Sequence, residues 1–291
     1  MSEVPRRRYK ALDHFEVLGE LGQGAGSRIL HIRDPDGLQH YAMKVVVRRS
    51  GDEDKYLDQA KHEFDVATRF DHPALLKIHD IRVIRKWFRE REVRTLLEYV
   101  NGQTVEQLKE PSVPLLAVIF AEVAAAVAHM HSRGVFHADL KPNNIMVTKS
   151  GQVKVIDFGL AWLRGQKKDR VQGTPGYLAP EQMQDRTVNA ATDIFNLGAT
   201  IYRVLTGRMA SGGMVGAGGK FVPSQSALTP AFEINPAVPR TLSDLVNRCC
   251  AAQPHGRPPS MNDVAESLSQ VTREHGVSTD DLPDLLRRRT S

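Results

Sequence analysis

The chain has 291 residues, 41% of them hydrophobic and 25% charged, which is enough apolar material to bury a sizeable core in one large domain or two lobes. A formal net charge of +5 raises the question of a nucleic-acid or membrane-surface partner, but an excess this small on a chain this long is the ordinary property of a solvated surface. The two cysteines, Cys249 and Cys250, are adjacent, which excludes a disulfide framework and a metal-ligand spacing and points to a reduced, cytoplasmic protein.

Arg6, Arg7 and Arg8 resemble the start of an export signal, but Lys10, Asp13, His14 and Glu16 follow where an apolar stretch should stand. Residues 1–14 therefore read as an N-terminal extension. From Phe15 to about Val100 the pattern is that of strands broken by one helix. Residues 27–33 and 40–47 are β-rich and joined by Asp34-Pro35-Asp36-Gly37, in which proline fixes φ and glycine accepts a positive φ, so a hairpin is expected. Residues 59–70 carry Phe64, Ala67 and Phe70 at helical spacing and end before Asp71-His72-Pro73. Residues 77–84 and 92–99 read as two more strands. Asn101-Gly102 then marks a change of character that we read as a hinge over residues 98–102.

Beyond it the pattern is mainly helical. Residues 114–131 form a long apolar helix; its run from Leu115 to Ala128 contains Glu122 and is too short to cross a bilayer, so burial is expected. A second helix spans residues 192–205 and closes at Gly207. Thr241 with Asp244, and Ser260 with Asp263, have the spacing of helix capping boxes. Short strands are expected near residues 145–147 and 153–156. The glycine-rich stretch 210–219 reads as a flexible loop, and residues 273–291 as a polar, mobile tail.

The residues that suggest chemistry are spread along this frame. Leu21, Gly22, Gln23, Gly24, Ala25, Gly26, Ser27 and Ile29 lie between two strands, where glycines let backbone amides approach phosphates; taken alone, such a stretch is more often just a turn. Ala42 and Lys44 follow on a strand and Glu63 on the helix, and singly either charge reads as surface. His137-Ala138-Asp139-Leu140-Lys141-Pro142-Asn143-Asn144, then Asp157-Phe158-Gly159, then Ala179-Pro180-Glu181 complete the series.

In order and spacing these motifs resemble the eukaryotic-like serine/threonine protein kinases, in a compact form that looks bacterial, over residues 15–270. The resemblance implies an α+β, bilobal protein-kinase-like fold: an N-lobe (15–97) of antiparallel sheet plus one helix, a hinge (98–102), a mainly helical C-lobe (103–270), and a polar tail (271–291). It implies transfer of the γ-phosphate of ATP to protein Ser/Thr hydroxyls. Asp139 matches the base that orients the acceptor hydroxyl, and Lys141 the residue that neutralises the transferred group. Lys44, held by Glu63, matches the grip on the α- and β-phosphates, and Asn144 and Asp157 match the ligands of two Mg2+ ions. Leu97 matches the gatekeeper, while Glu98 and Val100 match the backbone contacts to adenine. Asp193 and Arg257 match structural charges, Arg257 as partner of Glu181. Lys141 and Gly173-Thr174-Pro175-Gly176-Tyr177 fit the serine/threonine class, with Thr174 holding the catalytic loop, and the Ala-Pro-Glu segment argues against a small-molecule phosphotransferase.

Two departures stand out. Ser27 replaces the third glycine of the loop, with Gly26 one position early, which suggests a stiffer tip. Ala138 replaces the arginine that commonly holds a phosphorylated activation loop, and residues 160–172 contain no Ser, Thr or Tyr, so acceptor and phosphate-binding charge are missing together. Constitutive competence, or control by a regulatory protein partner, is therefore expected. Arg164, Lys167, Lys168 and Arg170, with Asn143 in place of a substrate-selecting Glu, suggest tolerance of acidic residues near the acceptor, although a solvated basic loop explains them equally well.

Two other classes of function compete. A pseudokinase or ATP-binding scaffold has no need of Asp139. A nucleic-acid or anion binder could use Arg82, Arg85, Lys86, Arg89, Arg91 and Arg94 with Trp87 and Phe88, but Glu90 and Glu92 interrupt that patch, so nucleic acid is not expected as a partner.

Overall fold

The computed structural model describes residues 14–24, 26–48, 54–166, 171–210, 213–215, 221–223 and 228–287. Ala25, Lys167, Lys168 and Arg170 lie outside these, as do residues 1–13 and 288–291. The chain divides into two compact units, one of residues 1–71 and 76–100 and the other of residues 72–75 and 101–291.

In the first unit, β1 (Glu16–Gly24), β2 (Ser27–Arg33), β3 (His40–Val47), β4 (Ile78–Lys86) and β5 (Arg89–Glu98) form an antiparallel sheet in the order β1-β2-β3-β5-β4. The β2–β3 hairpin forms where expected. Asp34 Oδ1 accepts the amides of Leu38 and Gln39, and Gly37 supplies the positive φ of 72°. Side chains alternate across a strand, so β3 serves two cores. Tyr41, Met43 and Val45 pack with Ile32 and Leu96 on one face, and Val46 packs with Leu57 and Ala60 of helix α1 (Asp54–Ala67) on the other.

Helix α1 begins earlier than the apolar spacing of Phe64, Ala67 and Phe70 implies and ends before Phe70. Its buried stripe is Leu57, Ala60, Glu63 and Val66. A carboxylate occupies the inward face, which a reading of apolar periodicity scores as solvent-facing.

The second unit is built on α2 (Val113–Ser132), started by Ser112 Oγ accepting the amide of Leu115. This is the one described helix long and apolar enough to cross a membrane, and 72% of its most apolar window is buried inside the unit. Around it lie β6 (Gly102–Thr104), β7 (Val135–Phe136), β8 (Ile145–Thr148), β9 (Val153–Val155) and β10 (Trp162–Leu163), then α3 (Pro180–Gln184) and α4 (Ala190–Thr206). Helix α4 opens at Asn189, whose Oδ1 accepts the amides of Ala191 and Thr192, and closes on Gly207 at φ 71°. The stretch expected to be a flexible loop contains β11 (Gly213–Val215) paired antiparallel with β12 (Phe221–Pro223).

Helices α5 (Ala231–Ile234), α6 (Arg240–Cys249), α7 (Met261–Glu274) and α8 (Leu282–Arg287) complete the unit. Ser260 caps α7, its Oγ accepting the amide of Asp263. Thr241 caps nothing: α6 starts directly after Pro239, and Thr241 lies inside it, 3.5 Å from Glu274 Oε2. The expected mobile tail is also corrected through Arg287. Asp281 Oδ2 accepts the amide of Ser278, Thr279 Oγ1 donates to Glu122 on α2, and Leu282 is fully buried. One apolar anchor in a polar stretch is enough to dock it.

Gly198 lets α4 and α6 approach closely, since a Cβ there would meet Cys249 Cβ at 2.5 Å. Cys249 is completely buried, and burial pushes its thiol from an ordinary value of 9.0 up to about 12. The fold favours the protonated thiol, so its contribution to stability is full below about pH 9 and is lost as pH rises toward 12. Cys249 is therefore expected to resist an aromatic disulfide reagent at pH 8 until the chain is unfolded; labelling at the rate of the denatured protein would contradict this packing.

Candidate active site

Lys44 lies on the same face of β3 as Val46, which points it at α1, and Glu63 lies on the buried stripe of α1. Their charges meet: Lys44 Nζ donates to Glu63 Oε2 at 2.7 Å, with both side chains largely buried. A lysine held this way keeps both its charge and its position. Where β1 gives way to β2, Gly24 pairs with Ser27. Gly26 has φ 81° and faces the ring of Tyr56 at a distance that leaves almost no room for a Cβ. The early glycine thus stands where the turn needs a left-handed residue, and Ser27 is already in the strand. Ala42 and Leu97 are buried register partners on β3 and β5. The Glu98 amide donates to the carbonyl of Lys77.

In the second unit Asp139, Lys141, Asn144 and Thr174 form one partly buried network, with Asp139 and Asn144 buried. Thr174 Oγ1 donates to Asp139 Oδ1 at 2.8 Å, Lys141 Nζ donates to Asp139 Oδ2 at 2.8 Å and to Thr174 Oγ1 at 2.7 Å, and Asn144 Nδ2 donates to the Asp139 carbonyl at 2.8 Å. The carboxylate is therefore fixed in one orientation by donors on both oxygens. Behind it, Asp193 Oδ1 accepts the amide of Ala138, and Oδ2 accepts the amide of His137 and lies 2.8 Å from His131 Nε2. Ala138 and Asp157 have φ of 64° and 65°, each a left-handed placement that costs a side-chain-bearing residue about 1–2 kcal/mol.

The pairing expected of Arg257 with Glu181 is present and bidentate, at 2.7 and 2.9 Å, with further donations to the carbonyls of Ala191, Ala251 and Ala252. Gln182 has an equally integrating position that the sequence did not reveal. Fully buried, it donates through Nε2 to the Ala138 carbonyl at 3.0 Å, while its Oε1 accepts the amide of Ala179 and Asn196 Nδ2. It joins the loop that carries Asp139 to α3 and α4, the last through the Asn196 side chain. Nothing in the sequence separates this buried glutamine from an exposed one.

A family model described as the protein kinase domain matches residues 15–268. The chain belongs to the protein kinase family. It is 26% identical over 272 residues to a probable serine/threonine-protein kinase of Clostridium acetobutylicum, covering 90% of this chain and 40% of that protein. It is 25% identical over 263 residues to the serine/threonine-protein kinase PrkC of Bacillus subtilis, covering 87% and 40%. The chain thus spans about two fifths of the length of these relatives. The crystal structure of the Mycobacterium tuberculosis PknI kinase domain, a double mutant, superposes with a TM-score of 0.65 at 21% identity, covering 89% of this chain and 96% of that one, which establishes the shared fold.

Protein kinases use ATP and a divalent metal, and the side chains of the second unit fit such an ion. Asn144 is turned by its two amide donations to Asp139, which commits its Nδ2 and leaves Oδ1 as an oxygen donor. Asp157 follows closely in space, since the Ile156 amide donates to the Asn144 carbonyl. One carboxylate and one amide oxygen suit a hard cation such as Mg2+, which binds through few protein ligands and completes its shell with water and substrate phosphates. Among the described residues no cluster of three or more His, Cys, Asp or Glu could hold a metal ion.

Proposed function

We propose that this domain transfers the γ-phosphate of ATP to serine and threonine hydroxyls of proteins. The observation that carries the reading is the Asp139 carboxylate, oriented by Lys141 and Thr174 and backed by Asn144. In this role Asp139 accepts hydrogen bonding from the acceptor hydroxyl and takes its proton, while Lys141 offers positive charge to the transferring group. Lys44, fixed by Glu63, holds the α- and β-phosphates. Leu21, Gly22, Gln23, Gly24, Ala25, Gly26, Ser27 and Ile29 supply the cover over the nucleotide. Ala42 and Leu97 line the base, with Glu98 and Val100 contributing backbone groups. Asn144 and Asp157 hold Mg2+, which neutralises phosphate charge when bound. Because the transition state is loose, the protein's contribution is positioning and electrostatics.

The test is phosphate transfer from labelled ATP and Mg2+ to the protein itself and to generic protein substrates, with the labelled amino acid identified. Phosphoserine or phosphothreonine supports the reading. Magnesium-dependent ATP binding without transfer would favour a nucleotide-binding scaffold, and phosphotyrosine alone would refute the substrate class.

We further infer competence without activation-loop phosphorylation. Both main-chain polar groups of Ala138 are engaged, by Asp193 and Gln182, so the catalytic loop is secured with no side chain at position 138 to read a phosphate. Phosphatase treatment, with loss of phosphate verified by intact mass, is expected to change the rate by no more than about threefold. A collapse of activity on dephosphorylation would contradict this.

A further inference from the structure

The hairpin tip between β4 and β5 presents two exposed aromatic residues. Lys86 pairs with Arg89, so the turn consists of Trp87 and Phe88 alone. Their side chains are 85% and 102% exposed, as open as any residue in an extended chain. Trp87 also has φ 53°, the position of a two-residue hairpin turn where glycine or asparagine is favoured and a bulky residue is strained. A tryptophan that costs backbone energy while leaving most of its surface open to solvent is not explained by folding.

The charges around the tip are one-sided. Between Arg82 and Arg94 six cations accompany two carboxylates. Both carboxylates are already engaged: Glu90 accepts from Lys61 at 2.7 Å and from Arg85 at 3.1 Å, and Glu92 is bonded to Arg94. Lys86, Arg89 and Arg91 are exposed and make no ion pair among the described residues. What this tip offers outward is two adjacent aromatic rings within a positive rim.

We propose that this hairpin tip docks on an anionic lipid bilayer, Trp87 and Phe88 entering the interfacial layer and Lys86, Arg89 and Arg91 engaging the headgroups. Indole and phenyl rings partition to that layer, and each basic side chain near an anionic surface strengthens binding roughly fivefold. A bilayer receives a projecting tip without a complementary groove. Single-stranded nucleic acid is bound differently, by aromatics spaced along a charged groove that tracks the backbone, whereas both rings here are consecutive residues of one turn.

The experiment uses the full chain with Trp162→Phe, so that Trp87 is the sole tryptophan reporter. It is mixed with vesicles of phosphatidylcholine alone, or of phosphatidylcholine and phosphatidylserine, and followed by sedimentation and fluorescence. Phosphatidylserine vesicles should bind the protein, shift Trp87 emission to the blue, and release the protein as salt is raised; phosphatidylcholine alone should bind weakly. Sedimentation of the chain with Trp162 retained should show binding weakened roughly tenfold or more by Trp87→Gly with Phe88→Ala, a pair that keeps or eases the turn. Lys86→Glu with Arg89→Glu should weaken it at least as much, and phosphate transfer in solution should stay unchanged in both variants as evidence of folding. No binding, undiminished binding by the Trp87/Phe88 variant, or a blue shift with single-stranded DNA but not with vesicles would each overturn the proposal.

Discussion

Asp139→Asn is expected to lower phosphate transfer by roughly 10² or more, the usual scale for losing a positioned base. The substitution keeps the shape of the side chain, so the loss is chemical. In the wild type both oxygens accept, Oδ1 from Thr174 and Oδ2 from Lys141 and Asn144. An amide can accept at one position only. Its NH2 must face either a hydroxyl that can reverse its own hydrogen bond or a lysine that cannot, so it turns toward Thr174 and breaks the chain in which Thr174 itself donates. Steady-state rates with labelled ATP, together with the affinity for ATP and Mg2+, separate the outcomes. A rate near wild type would remove Asp139 from the chemistry, and an equal loss of ATP binding would indicate a collapsed site.

Arg257→Ala is expected to destabilise the second unit by about 3–5 kcal/mol, because it strands a carboxylate away from water. Glu181 is buried, and its remaining described side-chain partner is the Thr192 hydroxyl at 3.0 Å. The same substitution leaves the carbonyls of Ala191, Ala251 and Ala252 without the guanidinium that gathers them. Thermal unfolding should move down by roughly 10 °C for a unit of this size. Removing both charges in Arg257→Met with Glu181→Gln should cost less than Arg257→Ala alone, since no unpaired ion remains. A loss under about 1 kcal/mol for the single variant would show that the pair is not buried in solution.

What could be read in advance depended on how local the cause was. The β2–β3 hairpin was legible because its two strands and its turn are encoded within one consecutive run, Ser27 to Val47. Asp139, Lys141, Asn144 and Asp157, proposed for chemistry, stood out because they lie in short motifs, whereas Glu63 is a lone residue on a helix. Helix α1 was placed late because its inward face includes Glu63, a residue whose burial depends on a lysine nineteen positions away. Gln182 was missed for the same reason: its partners, Ala138 and Asn196, come from other elements. Thr241 and Asp244 had the spacing of a cap, but Pro239 had already set the start of that helix. Tertiary contacts decided each of these, and tertiary contacts have no period.

The docking of α8 bears on where this domain stops. The kinase match ends at residue 268, partway along α7, a helix that runs to Glu274 and lies against α2. Beyond it Leu282 and Pro283 press on Gly151 so closely that no side chain fits there. A fragment trimmed at the end of the shared pattern would sever a packed helix and bare the turn between β8 and β9. In this chain the shared pattern ends before the packing of the second unit does, and a truncation should follow the packing.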